Sequence, residues 1–123
     1  MAKLTAKTSR QTAKRLLEIA QEKKPENPVV LDARGISPLW DFFIILTVGS
    51  DRQAEALTSY VLRTARDEKM RPHHVETDEA GGWVLIDFSD VVIHVFSEEK
   101  REFYGIERLL KGAKKVTFKT TEK

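Results

Sequence analysis

Histidine and carboxylate side chains that could bind a metal ion lie close together in one short segment. His73 and His74 stand near Glu76 and Asp78, which together offer nitrogen and oxygen ligands for a divalent cation. Successive residues of a strand point to opposite faces, so only one of the two histidines could serve a given site. Because the sequence has no His-x-x-x-His spacing, we interpret both as solvated histidines.

A second candidate chemistry is phosphoryl or nucleotidyl transfer. A strand followed by Gly49, Ser50 and a helix can bind phosphate through the unpaired amides of the helix start. The next residue is Asp51, whose charge opposes an anion there. A two-metal transferase also needs paired carboxylates on one strand, whereas a predicted turn separates Asp87 from Asp90. We therefore interpret Ser50 as a helix cap.

Nucleophilic catalysis has little support in this sequence. It contains no cysteine and no Gly-x-Ser-x-Gly segment, which removes two common kinds of nucleophile site. His94 lies on a predicted strand and could act as a general base, but a partly buried, hydrogen-bonded histidine is the interpretation that we favour. The patterns thus predict no catalytic residue, no cofactor and no metal site.

Aromatic and acidic residues share one predicted surface. If the chain turns at Ser89-Asp90, Trp83 pairs with Phe96 on one face of a hairpin, and His94 lies on the same face. Segment 98–104, rich in glutamate and aromatic residues, follows directly. Large aromatic side chains often anchor interfaces, and surrounding carboxylates select basic partners. Alternatively, Trp83 and Phe96 complete the core beneath a loop or the last helix, and the residues alone leave both interpretations open.

Hydrophobic spacing and capping signals predict the elements that position these residues. Residues 8–11 and 50–53 each fit a capping box and precede an amphipathic helix. Ser97 is expected to cap a last helix, which Gly105 interrupts, and the chain beyond Gly112 is expected to fray. Strands are predicted at 29–31, 42–48, 72–76, 83–88 and 91–96. The order α-β-β-α-β-β-β-α predicts an α/β fold, a mixed β-sheet with three helices on one face and the other face partly open.

Size and charge predict one domain with unlike ends. The 123 residues form a single domain with a folded core at about 8–112 and basic tails. Residues 1–24 carry seven Lys or Arg against two Glu (+5), residues 25–110 nine against sixteen acids (−7), and residues 111–123 five against one (+4). The acidic body should attract basic proteins, and contact with RNA should come from the tails. With no secretory apolar segment, we expect a cytoplasmic protein.

Four segments, in order, resemble the Iojap family of ribosomal silencing factors. Residues 40–45 (WDFFII) are similar to the family's Asp-Tyr-Phe-Val-Ile strand, and residues 49–53 (GSDRQ) to its Asn-Ser-Asp-Arg-Gln segment. Residues 82–96 (GWVLIDFSDVVIHVF) resemble its longest signature, and residues 101–109 (REFYGIERL) its Arg-Glu-Phe-Tyr-x-Leu-Glu-Arg-Leu ending. The likeness covers roughly residues 10–115, and several motifs in order are more specific than any single one.

The resemblance implies a ribosome-associated regulator that is not an enzyme. Its fold would be nucleotidyltransferase-like without the paired carboxylates. It would bind the large ribosomal subunit through ribosomal protein L-fourteen, block joining of the small subunit and repress translation in starvation or stationary phase. The family's contact surface, carried over to this chain, falls on Trp83, Asp87, His94, Phe96, Glu98, Glu102, Phe103 and Tyr104. A nucleotide-binding enzyme is the alternative, and a homodimer through the open sheet face is a further possibility.

Overall fold

The computed structural model describes residues 8–118 and contains ten helices and strands within that range. Residues 1–7 and 119–123, which include parts of both predicted basic tails, lie outside the described residues. None of the helices within residues 8–118 is long and apolar enough to cross a membrane. The elements are α1 (Ser9–Gln21), β1 (Glu26–Asp32), β2 (Phe42–Val48), α2 (Asp51–Asp67), β3 (His74–Thr77), β4 (Trp83–Asp87), β5 (Val91–Ser97), α3 (Glu98–Tyr104), α4 (Ile106–Leu109) and β6 (Lys114–Lys115).

The strands form one mixed sheet in the order β3-β4-β5-β2-β1-β6. β2 and β5 run parallel, and every other neighbouring pair is antiparallel. β2 is buried at all seven residues, as expected for a central strand that is apolar on both faces. The predicted α/β fold class is therefore confirmed.

The two long helices begin at the predicted caps, but only one cap is a complete capping box. Thr8 Oγ1 accepts the Gln11 amide at 3.1 Å, and Gln11 Oε1 accepts the Thr8 amide at 2.9 Å. At α2, Ser50 Oγ accepts the Gln53 amide at 3.1 Å. There, however, the Gln53 side chain accepts the amide of Gly49 at 2.8 Å instead of that of Ser50. Ser50 is thus a helix cap, and the second half of its predicted box is wrong.

Helices α1 and α2 bury their apolar stripes against one face of the sheet. An ion pair joins the two helices, because Arg15 Nη2 lies 2.5 Å from Glu68 Oε2 and Arg15 Nε lies 2.8 Å from Glu68 Oε1. The larger core cluster includes Ala13, Leu16, Ile19, Ala20, Phe42, Ile44, Leu46, Leu57, Val61, Ala65, Ile86, Ile93 and Val95.

The expectation that all three helices cover one face of the sheet is wrong. A second cluster lies on the opposite face and consists of Leu31, Ala33, Phe43, Ile45 and Phe96. Ile106 in α4 and Leu110 directly after it pack against this cluster together with Trp40 and Trp83. Because Ser97 caps α3 directly at the end of β5, the chain crosses over this second face. The face that remains accessible is thereby reduced to the region around β3 and β4.

The expected fraying beyond Gly112 is also wrong for residues 113–118. β6 pairs antiparallel with β1, placing Lys115 opposite Leu31. The Val116 amide then donates to the Val30 carbonyl at 2.9 Å. Val116 and Phe118 pack against the larger core cluster. A two-residue strand has no periodicity to detect in sequence, and it forms because β1 offers an unpaired edge.

Candidate partner-binding surface

The β4–β5 hairpin places the predicted surface residues in the expected register. Trp83 lies opposite Phe96, and Asp87 lies opposite Val92. At the turn, the Asp87 carboxylate accepts the amide of Ser89 at 2.7 Å, in an Asx-type arrangement that suits the left-handed φ of 79° at Ser89. The hairpin therefore holds Trp83 at one end and Asp87 at the other, so these two predicted contact residues lie apart.

An aromatic cluster surrounds Trp83. Its ring centroid lies 4.7 Å from that of Tyr104, 5.3 Å from Phe96 and 5.9 Å from His94. Beyond Tyr104, the ring of Phe103 is 5.0 Å away in an edge-on arrangement. The cluster thus joins two adjacent strands to the end of α3, and ring contacts of this kind add to the stability given by burial alone. We refer to Trp83, His94, Phe96, Phe103 and Tyr104 as the aromatic cluster.

His94 is a buried, neutral member of this cluster. Only 3% of its surface is exposed, its Nδ1 accepts the Trp83 Nε1–H at 3.2 Å, and its Nε2 has no partner among the described residues. Burial lowers the pKa of His94 to about 4, because an imidazolium would lose its hydration. His94 therefore lies beneath Trp83. The interpretation of a hydrogen-bonded histidine on a sheet face is confirmed, although the side chain is almost fully and not partly buried.

The predicted contact residues divide by exposure. Phe96 is fully buried, and like His94 it packs beneath the ring of Trp83. Phe103 is 74% and Tyr104 37% exposed, while Trp83 is half-buried. Trp83 thus packs against the second core cluster and also reaches the surface, where it is accessible to a partner. Glu98 and Glu102, on α3, are exposed.

A groove of about 180 Å³ lies beside the exposed part of Trp83. Its apolar lining comes from Trp83, Leu85 and Tyr104, and its polar lining includes Glu76 and Asp78. The Glu76 carboxylate lies 3.2 Å from His74 Nε2, and that of Asp78 lies 3.4 Å from Lys100 Nζ. Aromatic ring faces beside carboxylates suit an aliphatic side chain that ends in a cation.

Pairing of β3 with β4 creates this groove, because it places Glu76 opposite Leu85. The sequence suggested Glu76 and Asp78 only as metal ligands. Within residues 8–118, no three His, Asp or Glu side chains are grouped so that they could hold a metal ion.

A larger groove of about 920 Å³ lies between α1, β1 and residues 115–118, and none of the predicted contact residues lines it.

The carboxylate of Asp51, at the start of α2, contacts another segment of the chain. Asp51 Oδ1 accepts the amide of Gly82 at 3.2 Å, which joins the start of α2 to the turn before β4. Gly82 has a φ of 86° and Gly81 the same value. Asp51 therefore positions the chain that enters β4 at Trp83.

The chain is similar in sequence to known proteins. A family model described as "Ribosomal silencing factor during starvation" matches residues 6–123. A ribosomal silencing factor RsfS from Halalkalibacterium halodurans is 37% identical over 76% of this chain and 84% of its own length. A mouse protein named "Mitochondrial assembly of ribosomal large subunit protein 1" is 33% identical over 56% of this chain and 32% of its own length.

A solved structure has the same fold. A crystal structure of a protein from Chromobacterium violaceum aligns with a TM-score of 0.81 at 30% sequence identity. The alignment covers 93% of this chain and 94% of the other. The arrangement of the sheet and helices is therefore shared over nearly the whole chain.

Proposed function

The chain belongs to the RsfS family of ribosomal silencing factors, and on that basis we propose how it silences ribosomes. We propose that it binds the large ribosomal subunit through ribosomal protein L-fourteen and prevents the small subunit from joining. The mouse relative, named for assembly of the ribosomal large subunit, supports the choice of subunit. The family description, which mentions starvation, supports action when nutrients are scarce, and the bacterial relatives support action in the cytoplasm.

The observation that carries this proposal is the aromatic cluster at the accessible part of the sheet. Trp83 is held from beneath by His94 and Phe96, while Phe103 and Tyr104 extend the apolar surface into solvent. Rigid, half-exposed aromatic side chains are the ones that most often dominate binding energy, because they bury a large area at little entropic cost. The aromatic cluster therefore supports Trp83, Phe103 and Tyr104 as anchors.

Charge supports a basic partner for this surface. Glu98 and Glu102 are exposed on α3 next to the aromatic anchors, and Glu76 and Asp78 line the adjacent groove. Carboxylates around an apolar centre increase the rate of association with a basic protein and disfavour contact with phosphate. A basic ribosomal protein is thus a better partner for this face than ribosomal RNA, whose contacts we assign to the basic tails.

The proposed mechanism requires no bond making or breaking. A folded body that occupies part of the intersubunit face excludes the other subunit sterically. Specific binding of this kind needs an interface of about 800 Å² on each partner. The protein would then act in proportion to its occupancy of free large subunits.

Co-sedimentation with separated ribosomal subunits tests the proposal. We expect the protein to sediment with large but not with small subunits, and to slow the increase in light scattering when the two are mixed. Leu39→Ala should behave like the wild-type protein in both measurements, since Leu39 is 67% exposed and lies in the β1–β2 loop outside the proposed surface. Subunit joining at an unchanged rate in excess protein would contradict the proposal.

A nucleotide-binding enzyme is the alternative class, and it is tested separately. Calorimetry with nucleoside triphosphates and Mg²⁺ should show no heat of binding if the protein acts by steric exclusion alone. Binding in the micromolar range would favour the enzyme alternative. Light scattering at increasing protein concentration tests a homodimer in the same samples.

A further inference from the structure

Helix α3 presents most of the proposed surface, yet it has little apolar anchorage of its own. It carries Glu98, Glu102, Phe103 and Tyr104, and none of its residues is buried. The following helix α4 also buries no residue. A seven-residue helix does not persist in water by itself, so specific contacts must hold α3 in its orientation on the sheet.

Arg101 supplies four such contacts from the middle of α3. Its Nε and Nη2 donate to the two carboxylate oxygens of Glu107 on α4, at 3.0 and 3.2 Å. Its Nη1 donates to Thr47 Oγ1 on β2 and to the Asn27 carbonyl on β1, both at 2.7 Å. The Arg101 side chain is only 13% exposed. One guanidinium therefore joins α3 to α4 and to two strands.

The acceptors of Arg101 are arranged for a planar, forked donor. Thr47 is 3% exposed, in the buried strand β2. Asn27 has a left-handed φ of 47° and lies where the pairing of β1 with β2 is irregular, between Glu26 and Val29. A lysine ammonium cannot donate to both oxygens of a carboxylate and to two further acceptors in one fixed plane.

We propose that Arg101 is a positioning residue for the partner-binding surface. By joining α3 to α4, β1 and β2, it holds Tyr104 against Trp83, and Phe103 beside Tyr104, in the arrangement that the partner contacts. Arg101 is not itself the contact, because its side chain is only 13% exposed and donates to acceptors within the protein. The consequence for binding rests on the proposed function, whereas the consequence for the order of α3 does not.

The first measurement is hydrogen exchange of the α3 amides in the free protein. Arg101→Met should increase exchange in residues 98–104 while the central strands β2 and β5 keep their protection. Arg101→Lys should give an intermediate result, since it keeps the charge and loses the fork. Arg66→Met, at an exposed position of α2, is the matched control and should leave α3 unchanged. If the α3 amides of Arg101→Met exchange at the same rate as those of the wild-type protein, the proposal is overturned.

The second measurement is binding to isolated large subunits. Arg101→Met should weaken binding roughly tenfold, because loosening a preorganised surface by about 1 Å is costly. Combined with Tyr104→Ala, the loss should be clearly less than the product of the two separate losses, because both act on the same anchor. Independent, multiplicative losses would contradict the positioning role.

Three further outcomes have a defined meaning for the proposal. If Arg101→Met fails to fold, Thr47→Val removes a single contact of Arg101 and should increase exchange of α3 to a smaller extent; unchanged exchange would overturn the proposal. If the wild-type protein does not bind large subunits, the proposed function fails, and the exchange measurement still decides whether Arg101 orders α3. If the wild type binds and Arg101→Met behaves like it, only this inference fails.

Discussion

The indole N–H of Trp83 donates a hydrogen bond to Nδ1 of His94 at 3.2 Å, and the two rings stack with their centroids 5.9 Å apart. This contact couples a half-exposed aromatic side chain to a buried, neutral imidazole. It fixes the tautomer of His94, because Nδ1 is the acceptor and the proton must then lie on Nε2. The rigidity of the proposed anchor and the pH dependence of stability thus depend on the same pair.

Replacement of Trp83 should affect both stability and binding. Trp83→Ala removes a ring that packs on Phe96 and Tyr104, and we expect a loss of about 2–3 kcal/mol in the free energy of unfolding. Dissociation from large subunits should be faster by roughly tenfold or more. Trp83→Phe keeps a ring and loses the hydrogen bond, at a cost of about 1 kcal/mol. Urea denaturation measures the loss of stability, and dissociation kinetics measure the loss of binding. If Trp83→Ala matches the wild-type protein in both measurements, Trp83 is neither a packing residue nor an anchor of the proposed surface.

Stability should fall as the pH is lowered through the range set by His94. The pKa of its imidazole is lowered from 6.5 to about 4 in the folded protein. Above pH 6.5 both states are neutral and the full stability is present; between 6.5 and about 4 the unfolded chain binds a proton that the folded protein excludes. The contribution of His94 to the loss of stability should reach about 3 kcal/mol and change little at lower pH.

The matched variant for this prediction is His94→Asn, whose side-chain oxygen can still accept the Trp83 indole N–H. Its stability should be lower at neutral pH, because the smaller side chain leaves a void, but should decline less between pH 6.5 and 5. Urea denaturation at a series of pH values gives both profiles. Parallel profiles for the two proteins would show that His94 does not titrate as expected.

Phe103 should contribute to binding and not to folding. It is 74% exposed, so Phe103→Ala should leave the melting temperature nearly unchanged. Binding to large subunits should weaken by about tenfold, as for an aromatic anchor at an interface. The control is Leu39→Ala, a side chain of similar exposure in a distant loop. Equal affinities for the two variants would remove Phe103 from the proposed surface.

Reversal of charge on α3 should slow association. Glu98→Lys with Glu102→Lys changes two exposed carboxylates beside the aromatic anchors, and association with large subunits should slow roughly three- to tenfold at low salt. The salt dependence should also become flatter. Glu55→Lys with Asp67→Lys makes the same change of net charge on the exposed face of α2. If both pairs slow association equally, steering by α3 is not supported.

Gly82 should not tolerate a side chain. Its φ is 86°, and a Cβ there would lie 2.7 Å from Lys100 Cγ and 3.0 Å from Ser97 Oγ, at the start of α3. We expect Gly82→Ala to cost about 1–3 kcal/mol. Gly35→Ala is the control, because a Cβ there has no neighbour within 4 Å. Thermal denaturation compares the two, and equal melting temperatures would contradict this account.

Local patterns were sufficient for the parts of this fold that depend on neighbours in sequence. The Thr8 capping box, the Ser50 and Ser97 caps and the register of the β4–β5 hairpin follow from residues a few positions apart. The family was identified from four motifs in the order in which they occur, and the comparisons confirm it. These features are determined by short-range spacing, which a single sequence displays directly.

Other features depend on contacts between distant segments and were missed or wrong. The sequence patterns did not predict that α3 and α4 cross to the second sheet face or that β6 pairs with β1, because both features depend on the completed sheet. The groove beside Trp83 required β3 to pair with β4. The Arg101 contacts join residues separated by as many as 74 positions.

The sequence by itself determined the helix caps, five of the six strands in the described sheet, the hairpin register and the family of this protein, because each is encoded by residue types at fixed short spacing. Only the tertiary structure decided that Trp83 is partly core and partly surface, that His94 and Phe96 lie beneath it, and that Arg101 holds α3. Exposure and long-range hydrogen bonds arise when separate elements pack together, and no local pattern specifies how closely they pack.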